Sequence, residues 1–133
     1  NNEEFQIENY KNAVRLFEFI AFKKITKVVM LGSQEEFSNV NYIDNKAVSN
    51  PITQYGKYKK KVHEYGLMLS KEIGFKFYWL RVFSIYGSGD FDGSLIKESL
   101  IKFKRNEVVS INYGMKMWDY LLHEQRGGHR HHC

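Results

Sequence analysis

Apolar residues recur at two different spacings in the first third of the chain, and these spacings predict a helix followed by a strand. Residues 9–22 carry an apolar side chain every three to four positions, which is the period of an amphipathic helix. Residues 27–32 instead form a continuous apolar, β-branched run that stops at a glycine. Such a run is typical of a strand buried inside a sheet.

The middle of the chain predicts a loop, a long helix and a second strand. Residues 38–53 are rich in Asn, Ser and Asp and contain the only proline, which is typical of a loop. A helix is expected from Thr53 or Gln54 to about Glu72, because Gly74 follows as a helix terminator. Residues 75–83 then form a second strongly apolar run, which predicts the second strand.

The last part of the chain continues the alternation. Residues 87–93 form a glycine-rich loop, residues 94–104 have a helical pattern, and residues 108–112 read as a third strand. Helices that alternate with strands favour the α/β class with parallel strand pairing. No strand and no glycine-rich turn precede the first helix, so we expect exposed sheet edges and a chain that is a piece of a larger domain.

The amino-acid composition limits the size of the domain and the kinds of partner that the chain can have. With 133 residues and 43% hydrophobic residues the chain is large enough for one packed domain. No apolar run approaches the ~18 residues that a membrane span needs, so no membrane partner is expected. The single cysteine, Cys133, excludes an internal disulfide and suits the cytoplasm.

The net charge of +5 leaves two interpretations open. A basic surface can bind nucleic acid, or it can be an ordinary solvated surface. The densest basic patch lies between Lys57 and Lys61 and has helical spacing rather than the layout of a flat stacking platform. We therefore expect no nucleic-acid partner.

Tyr55 and Lys59 form a candidate proton-transfer pair. Side chains four residues apart at the start of a helix project from one face. A phenol with a pKa near ~10 cannot act as a base at neutral pH unless a neighbouring cation stabilises its anion. Tyr-x-x-x-Lys is a weak signal by itself, because a second copy occurs at Tyr42 and Lys46 in the loop. The alternative is a surface pair without function.

Two further polar residues are candidates for the same site. Ser33 follows the first strand at its carboxyl end, where α/β sheets place ligands. Its hydroxyl could hold a substrate oxygen, or it could satisfy the backbone of its own turn. Asn9 opens the first predicted helix. It could belong to the site, or it could do no more than cap the helix.

Five segments, in this order, resemble the extended short-chain dehydrogenase/reductase family, which contains the sugar-nucleotide epimerases and dehydratases. The resemblance covers about residues 5–121. The segments are Asn9 near the head of the first helix; residues 28–33 with Phe37; Asn50-Pro51 with Tyr55-Gly56 and Lys59; Leu80-Arg81 with Ser84 and Tyr86-Gly87; and residues 118–121.

The resemblance implies a catalytic tetrad. Tyr55 would be the acid/base, and Lys59 would stabilise the phenolate and hold the nicotinamide ribose. Ser33 would orient the substrate hydroxyl, and Asn9 would hold a water in a proton relay. The general chemistry agrees, because hydride leaves a carbon as its oxygen loses a proton.

The resemblance also implies a cofactor, a substrate and an assembly. The cofactor would be NAD or NADP, with Phe83 at the nicotinamide, and the substrate would be a nucleotide-sugar, with Ser84 nearby. Dehydratases of the family carry Thr-Asp-Glu where this chain has Ser33-Gln34-Glu35. Because glutamine cannot act as the acid, an epimerase or reductase is favoured over a dehydratase. A homodimer through the helix at residues 55–72 is also implied.

The fold that follows is part of a Rossmann-like parallel sheet with flanking helices, without the first strands and the glycine-rich turn. We expect it to occupy residues 1–122, with residues 123–133 as a disordered His-rich tail that holds no metal. The loop at residues 87–93 is not the dinucleotide turn, because its last glycine spacing is too long and Asp90 and Asp92 would repel a pyrophosphate. The alternative function is a catalytically inactive Rossmann-like binding or scaffold module.

Overall fold

The computed structural model describes residues 3–38, 43–44, 46–111 and 119–123. The chain divides into two compact units, one up to Val82 and one from Phe83 onward. The first unit contains α1 (Glu3–Phe22), β1 (Lys27–Ser33), a 3-10 turn (Gln34–Glu36), α2 (Gln54–Ile73) and β2 (Lys76–Val82). The second contains β3 (Ser84–Gly87), α3 (Leu95–Lys104) and β4 (Tyr120–His123).

The first unit has a parallel sheet in which α2 is the crossover between its strands. β1 pairs with β2 over their whole length, from Lys27 opposite Lys76 to Ser33 opposite Val82. The carboxyl ends of both strands therefore lie side by side. This arrangement confirms the α/β class and the Rossmann-like parallel pairing expected from the sequence.

The core of the first unit forms where α1 and α2 cover one face of this sheet. Its buried apolar residues are Phe17, Ile20, Val28, Val62 and Phe75. The ring of Phe17 lies 5.6 to 6.5 Å, between centroids, from the rings of Tyr65, Phe75 and Phe77. The other face carries Val29, Leu31, Tyr78 and Leu80, all about half exposed, as the alternation of side chains along a strand requires.

The ends of α2 follow the local signals. The side chain of Thr53 caps the helix by accepting a hydrogen bond from the amide of Gly56. Gly74 ends it with φ of 82°, and its amide donates to the carbonyl oxygen of Ser70. The prediction for this helix is confirmed.

The predicted start of the first helix is wrong. α1 begins at Glu3, so Asn9 lies inside the helix and is not its N-cap. Glu3 and Glu4 place negative charge in the first turn, which stabilises the amino end of a helix. No glycine or proline stands between Glu3 and Asn9 to stop the helix from extending in that direction.

The second unit contains a small parallel sheet. β3 pairs with β4 from Ser84 opposite Tyr120 to Gly87 opposite His123. The side chain of Ser94 caps α3 by accepting a hydrogen bond from the amide of Lys97. His123, the first residue of the predicted tail, is therefore the last residue of a strand.

The third strand predicted at residues 108–112 is wrong over its described part. Residues 108–111 form no strand, and Val108 is 90% exposed. β-branched residues favour a strand only where another strand is available to pair with, and β3 pairs with β4 instead. Asn112, Tyr42 and Trp118 lie outside the described residues, as does the histidine-rich segment 124–133.

Within the described part of the chain, none of the helices has the length and apolar character that crossing a membrane requires.

Candidate active site

The carboxyl end of β1 and the first turns of α2 meet around Lys59. Its Nζ donates a 3.0 Å hydrogen bond to the carbonyl oxygen of Leu31, two residues before Ser33. The same Nζ lies 5.7 Å from the centroid of the Tyr55 ring. The fold therefore places Tyr55 and Lys59 side by side and holds the ammonium at the ligand end of the sheet.

Ser33 occupies the last position of β1 and is 9% exposed. Its Oγ accepts a hydrogen bond from the amide of Glu35 at 3.2 Å, so the serine does cap its own turn. A hydroxyl has one proton to donate in addition to its acceptor positions. The cap therefore uses an acceptor position of the hydroxyl and not its proton.

Asn9 is exposed on α1, and its Nδ2 lies 3.5 Å from Oε1 of Gln6 in the same helix. The adjacent residue, Tyr10, contacts Tyr58 with ring centroids 6.3 Å apart. This turn of α1 consequently runs beside the early turns of α2.

Phe83 and Ser84 belong to the second unit. Both are partly buried, and Ser84 begins β3 opposite Tyr120. The first unit by itself thus carries all four residues of the candidate tetrad.

Glu36 is a buried residue that the sequence reasoning missed. It is completely shielded from solvent, and its Oε1 accepts a 2.9 Å hydrogen bond from the amide of Ser33. Nε1 of Trp79 donates to both carboxylate oxygens at 2.9 and 3.1 Å, and Nε of Arg81 donates to Oε2 at 3.0 Å. The available signal was the Ser-x-x-Glu spacing of a capping box.

His63 extends this cluster to α2. Its Nδ1 lies 3.3 Å from a terminal nitrogen of Arg81, and its ring stacks on Trp79 with centroids 5.0 Å apart. Desolvation by burial, followed by the positive charge of Arg81, lowers the pKa of His63 below its ordinary value. The neutral imidazole is therefore the favoured form in the folded protein.

Gly56 lets the first turn of α2 approach the turn after Ser33. A Cβ at this position would collide with the carbonyl oxygen of Glu35. In the same place, Oγ1 of Thr53 donates to the carboxylate of Glu35 at 2.9 Å. The amino end of α2, which carries Tyr55, is thus fixed against the end of β1.

A comparison with protein-family models identifies the family to which the chain belongs. The model of the NAD dependent epimerase/dehydratase family matches residues 1–124. The chain belongs to this family. A search of the curated proteins found no match. The family assignment confirms the resemblance drawn from the sequence at the family level.

Membership in the epimerase/dehydratase family implies binding of NAD(P), and the first unit offers groups for one end of that cofactor. The ammonium of Lys59 and the phenol of Tyr55 are polar groups that could hydrogen-bond to hydroxyls of such a cofactor. Both lie at the carboxyl end of a parallel strand, which is where dinucleotides bind in such sheets.

The glycine-rich loop of the second unit does not suit the phosphates that an epimerase/dehydratase cofactor carries. Lys97 Nζ binds the backbone oxygen of Asp90 and the carboxylate of Asp92, each at 2.7 Å. Oγ of Ser94 donates to the carboxylate of Asp90 at 2.6 Å. The hydrogen bond from Lys97, together with its charge, lowers the pKa of Asp92. The carboxylate of Asp92, which this shift keeps ionised, would repel a pyrophosphate.

Proposed function

We propose that this chain supplies the proton-transfer residues of an NAD(P)-dependent sugar-nucleotide epimerase or reductase. The observation that carries the proposal is the position of Lys59, which lies beside the Tyr55 ring and is bound to the carbonyl oxygen of Leu31. The family is NAD-dependent, and a lysine beside a tyrosine at the carboxyl end of a parallel strand supports a role for the two residues as an acid/base pair next to the cofactor.

The reaction begins with a sugar carbinol and ends with a ketone. A bound NAD(P)⁺ would supply the two-electron acceptor that takes up the carbon-bound hydrogen as a hydride. Tyr55, as phenolate, accepts the hydroxyl proton, and in the reverse direction the phenol returns it. Lys59 stabilises the phenolate and holds the nicotinamide ribose.

The remaining candidates orient the reactants. Ser33 donates its hydroxyl proton to the substrate oxygen, which keeps that oxygen next to Tyr55. Asn9 holds a water that exchanges protons with the pair. Phe83 would contact the nicotinamide, and Ser84 would contact the nucleotide-sugar substrate.

The turn after β1 favours epimerisation or reduction over loss of water. Gln34 stands where dehydratases of the family carry an acid, and an amide cannot protonate a leaving hydroxyl. The next residue, Glu35, has its carboxylate engaged by the hydroxyl of Thr53 at 2.9 Å.

The substitution Tyr55→Phe tests this function in the protein at its full natural length, with a nucleotide-sugar and NAD(P)H as reactants. We expect kcat to fall by about 10²- to 10⁴-fold, because the group that exchanges the proton is gone. Tyr58→Phe, the same change three residues further along α2, is the matched control and should keep normal kcat. Normal turnover in Tyr55→Phe would show that another residue is the base.

We also propose that two copies associate through α2. A surface groove on this helix is lined by Glu64, Leu67, Met68, Lys71 and Glu72, and Met68 is 54% exposed. A two-fold axis between Leu67 and Met68 would place Glu64 of each copy opposite Lys71 of the other. The pairing of Glu64 with Lys71 is complementary in charge, as an isologous interface requires.

A further inference from the structure

The amide of Ser33 donates a hydrogen bond to the carboxylate of Glu36, which is buried in the first unit. Glu36 is 0% exposed, yet its side chain receives hydrogen bonds from Ser33, Trp79 and Arg81. Burying a carboxylate is unfavourable unless charge and hydrogen bonds compensate. Here the guanidinium of Arg81 supplies the charge and three donor groups occupy both oxygens.

The absence of a side chain at Gly32 leaves room for this carboxylate beside the two strands. A Cβ at Gly32 would collide with Nε1 of Trp79 and with Oε1 of Glu36. Arg81 pairs with Gly32, and Trp79 pairs with Met30, in the parallel sheet. The side chain of Glu36 therefore fastens the turn that follows β1 onto the neighbouring strand β2.

The backbone of Glu36 is fastened as well. Its carbonyl oxygen accepts a 2.8 Å hydrogen bond from Oγ of Ser49, and the carbonyl oxygen of Ser49 accepts one from Nζ of Lys60 at 3.0 Å. The loop before α2 and α2 itself thus hold the same residue from the other side. A substitution at Glu36 would therefore first alter the conformation of the turn that begins with Ser33.

We propose that Glu36 is a positioning residue that acts through Ser33. Its carboxylate holds the amide of Ser33 so that the serine hydroxyl is presented at the carboxyl end of β1. A carboxylate is required because the three groups that hydrogen-bond to it are all N–H donors. Glutamine would instead turn an NH₂ group toward at least one of these donors. The catalytic part of this proposal rests on the proposed function.

Amide hydrogen exchange followed by NMR tests the structural part on the 133-residue chain. In the wild type, the Ser33 amide and the Trp79 indole N–H should both be protected. In Glu36→Gln, the Ser33 amide should exchange about tenfold faster or more, because a hydrogen bond to a charged group is lost. Trp79→Phe identifies the indole signal. Glu18→Gln, on the exposed side of α1, should change neither.

Two outcomes would overturn the structural part. One is a Ser33 amide that is unprotected in the wild type, and the other is unchanged Ser33 exchange in a folded Glu36→Gln protein. Should Glu36→Gln not fold, Glu36→Asp keeps the charge for Arg81 and withdraws the carboxylate from Ser33 by one methylene. Faster Ser33 exchange is expected in that variant too, and unchanged exchange would contradict the proposal.

Double-mutant kinetics in the protein at its full natural length test the catalytic part. Ser33→Ala should lower kcat on the order of a hundredfold, as loss of a hydrogen-bond donor at a reacting oxygen does. Glu36→Gln should lower kcat about tenfold with KM within about twofold. In the Ser33→Ala background, Glu36→Gln should not lower kcat further, because the hydroxyl through which Glu36 acts is already absent.

The two proposals fail in different ways. Independent, multiplying losses in the double variant would overturn the positioning role, since Glu36 would then act by another route. A wild-type protein without turnover would overturn the proposed function instead. In that case the exchange of the Ser33 amide alone decides whether Glu36 positions Ser33.

Discussion

His63, on α2, contacts both Arg81 and Trp79 of β2. Its ring is parallel to within 12° of the Trp79 ring, and its Nδ1 faces Arg81. Burial and the charge of Arg81 lower its pKa, while Glu36 and Glu64 act more weakly in the opposite direction. The neutral ring can accept a hydrogen bond from Arg81, whereas the protonated ring would place two positive charges together.

Stability should therefore fall in mildly acidic solution. Between the ordinary pKa near ~6.5 and the lower pKa of folded His63, the unfolded chain binds a proton that the folded chain does not bind. The contribution is complete above pH ~6.5 and is lost as the pH falls through the folded value. Urea unfolding at pH 7.5 and 5.0 should show a smaller loss in His63→Gln than in the wild type. The other histidines are common to both proteins, so an equal loss would contradict this account.

The junction between β1 and α2 depends on close backbone approach. The first turn of α2 lies so near the carbonyl oxygen of Glu35 that position 56 has no room for a side chain. This contact, together with the bond between Thr53 and Glu35, sets the distance from Tyr55 to the end of β1.

Gly56→Ala should accordingly destabilise the fold, although alanine in place of glycine normally stabilises a helix by about 0.5–1 kcal/mol. We expect the free energy of unfolding to fall by about 1–3 kcal/mol because the added methyl group overpacks the junction. Urea unfolding measures this change. Lys57→Ala, at the next and exposed position, should stay within about 0.5 kcal/mol of the wild type. Unchanged or higher stability in Gly56→Ala would contradict the close approach.

The fold was predictable where short-range chemistry decides it. Thr53 and Gly74 set the ends of α2 through contacts with residues a few positions away, and the pairing of Tyr55 with Lys59 follows from helix geometry alone. Glu36 was missed because its donors Trp79 and Arg81 stand 43 and 45 residues further along the chain. The strand expected at residue 108 failed for a similar reason, since strand formation depends on a distant partner.

The proposed association of two copies through the groove on α2 depends on the charges of Glu64 and Lys71. Reversing one charge, in Glu64→Lys or in Lys71→Glu, should place like charges opposite each other and weaken dimerisation about tenfold or more. The double reversal should restore dimerisation, because each copy again presents opposite charges. Sedimentation velocity over a range of concentrations measures this. A wild-type chain that stays monomeric, or single reversals without effect, would contradict the proposed interface.

The pH dependence of kcat/KM in Lys59→Met shows whether the ammonium of Lys59 stabilises the phenolate of Tyr55, as the proposed proton transfer requires. In the protein at its full natural length, removing this cation should move the acid limb of the profile upward by about one pH unit or more. Lys61→Met removes a lysine from the same helix and should leave the limb in place. If Lys59→Met kept the acid limb of the wild type, the two residues would not act as a proton-transfer pair.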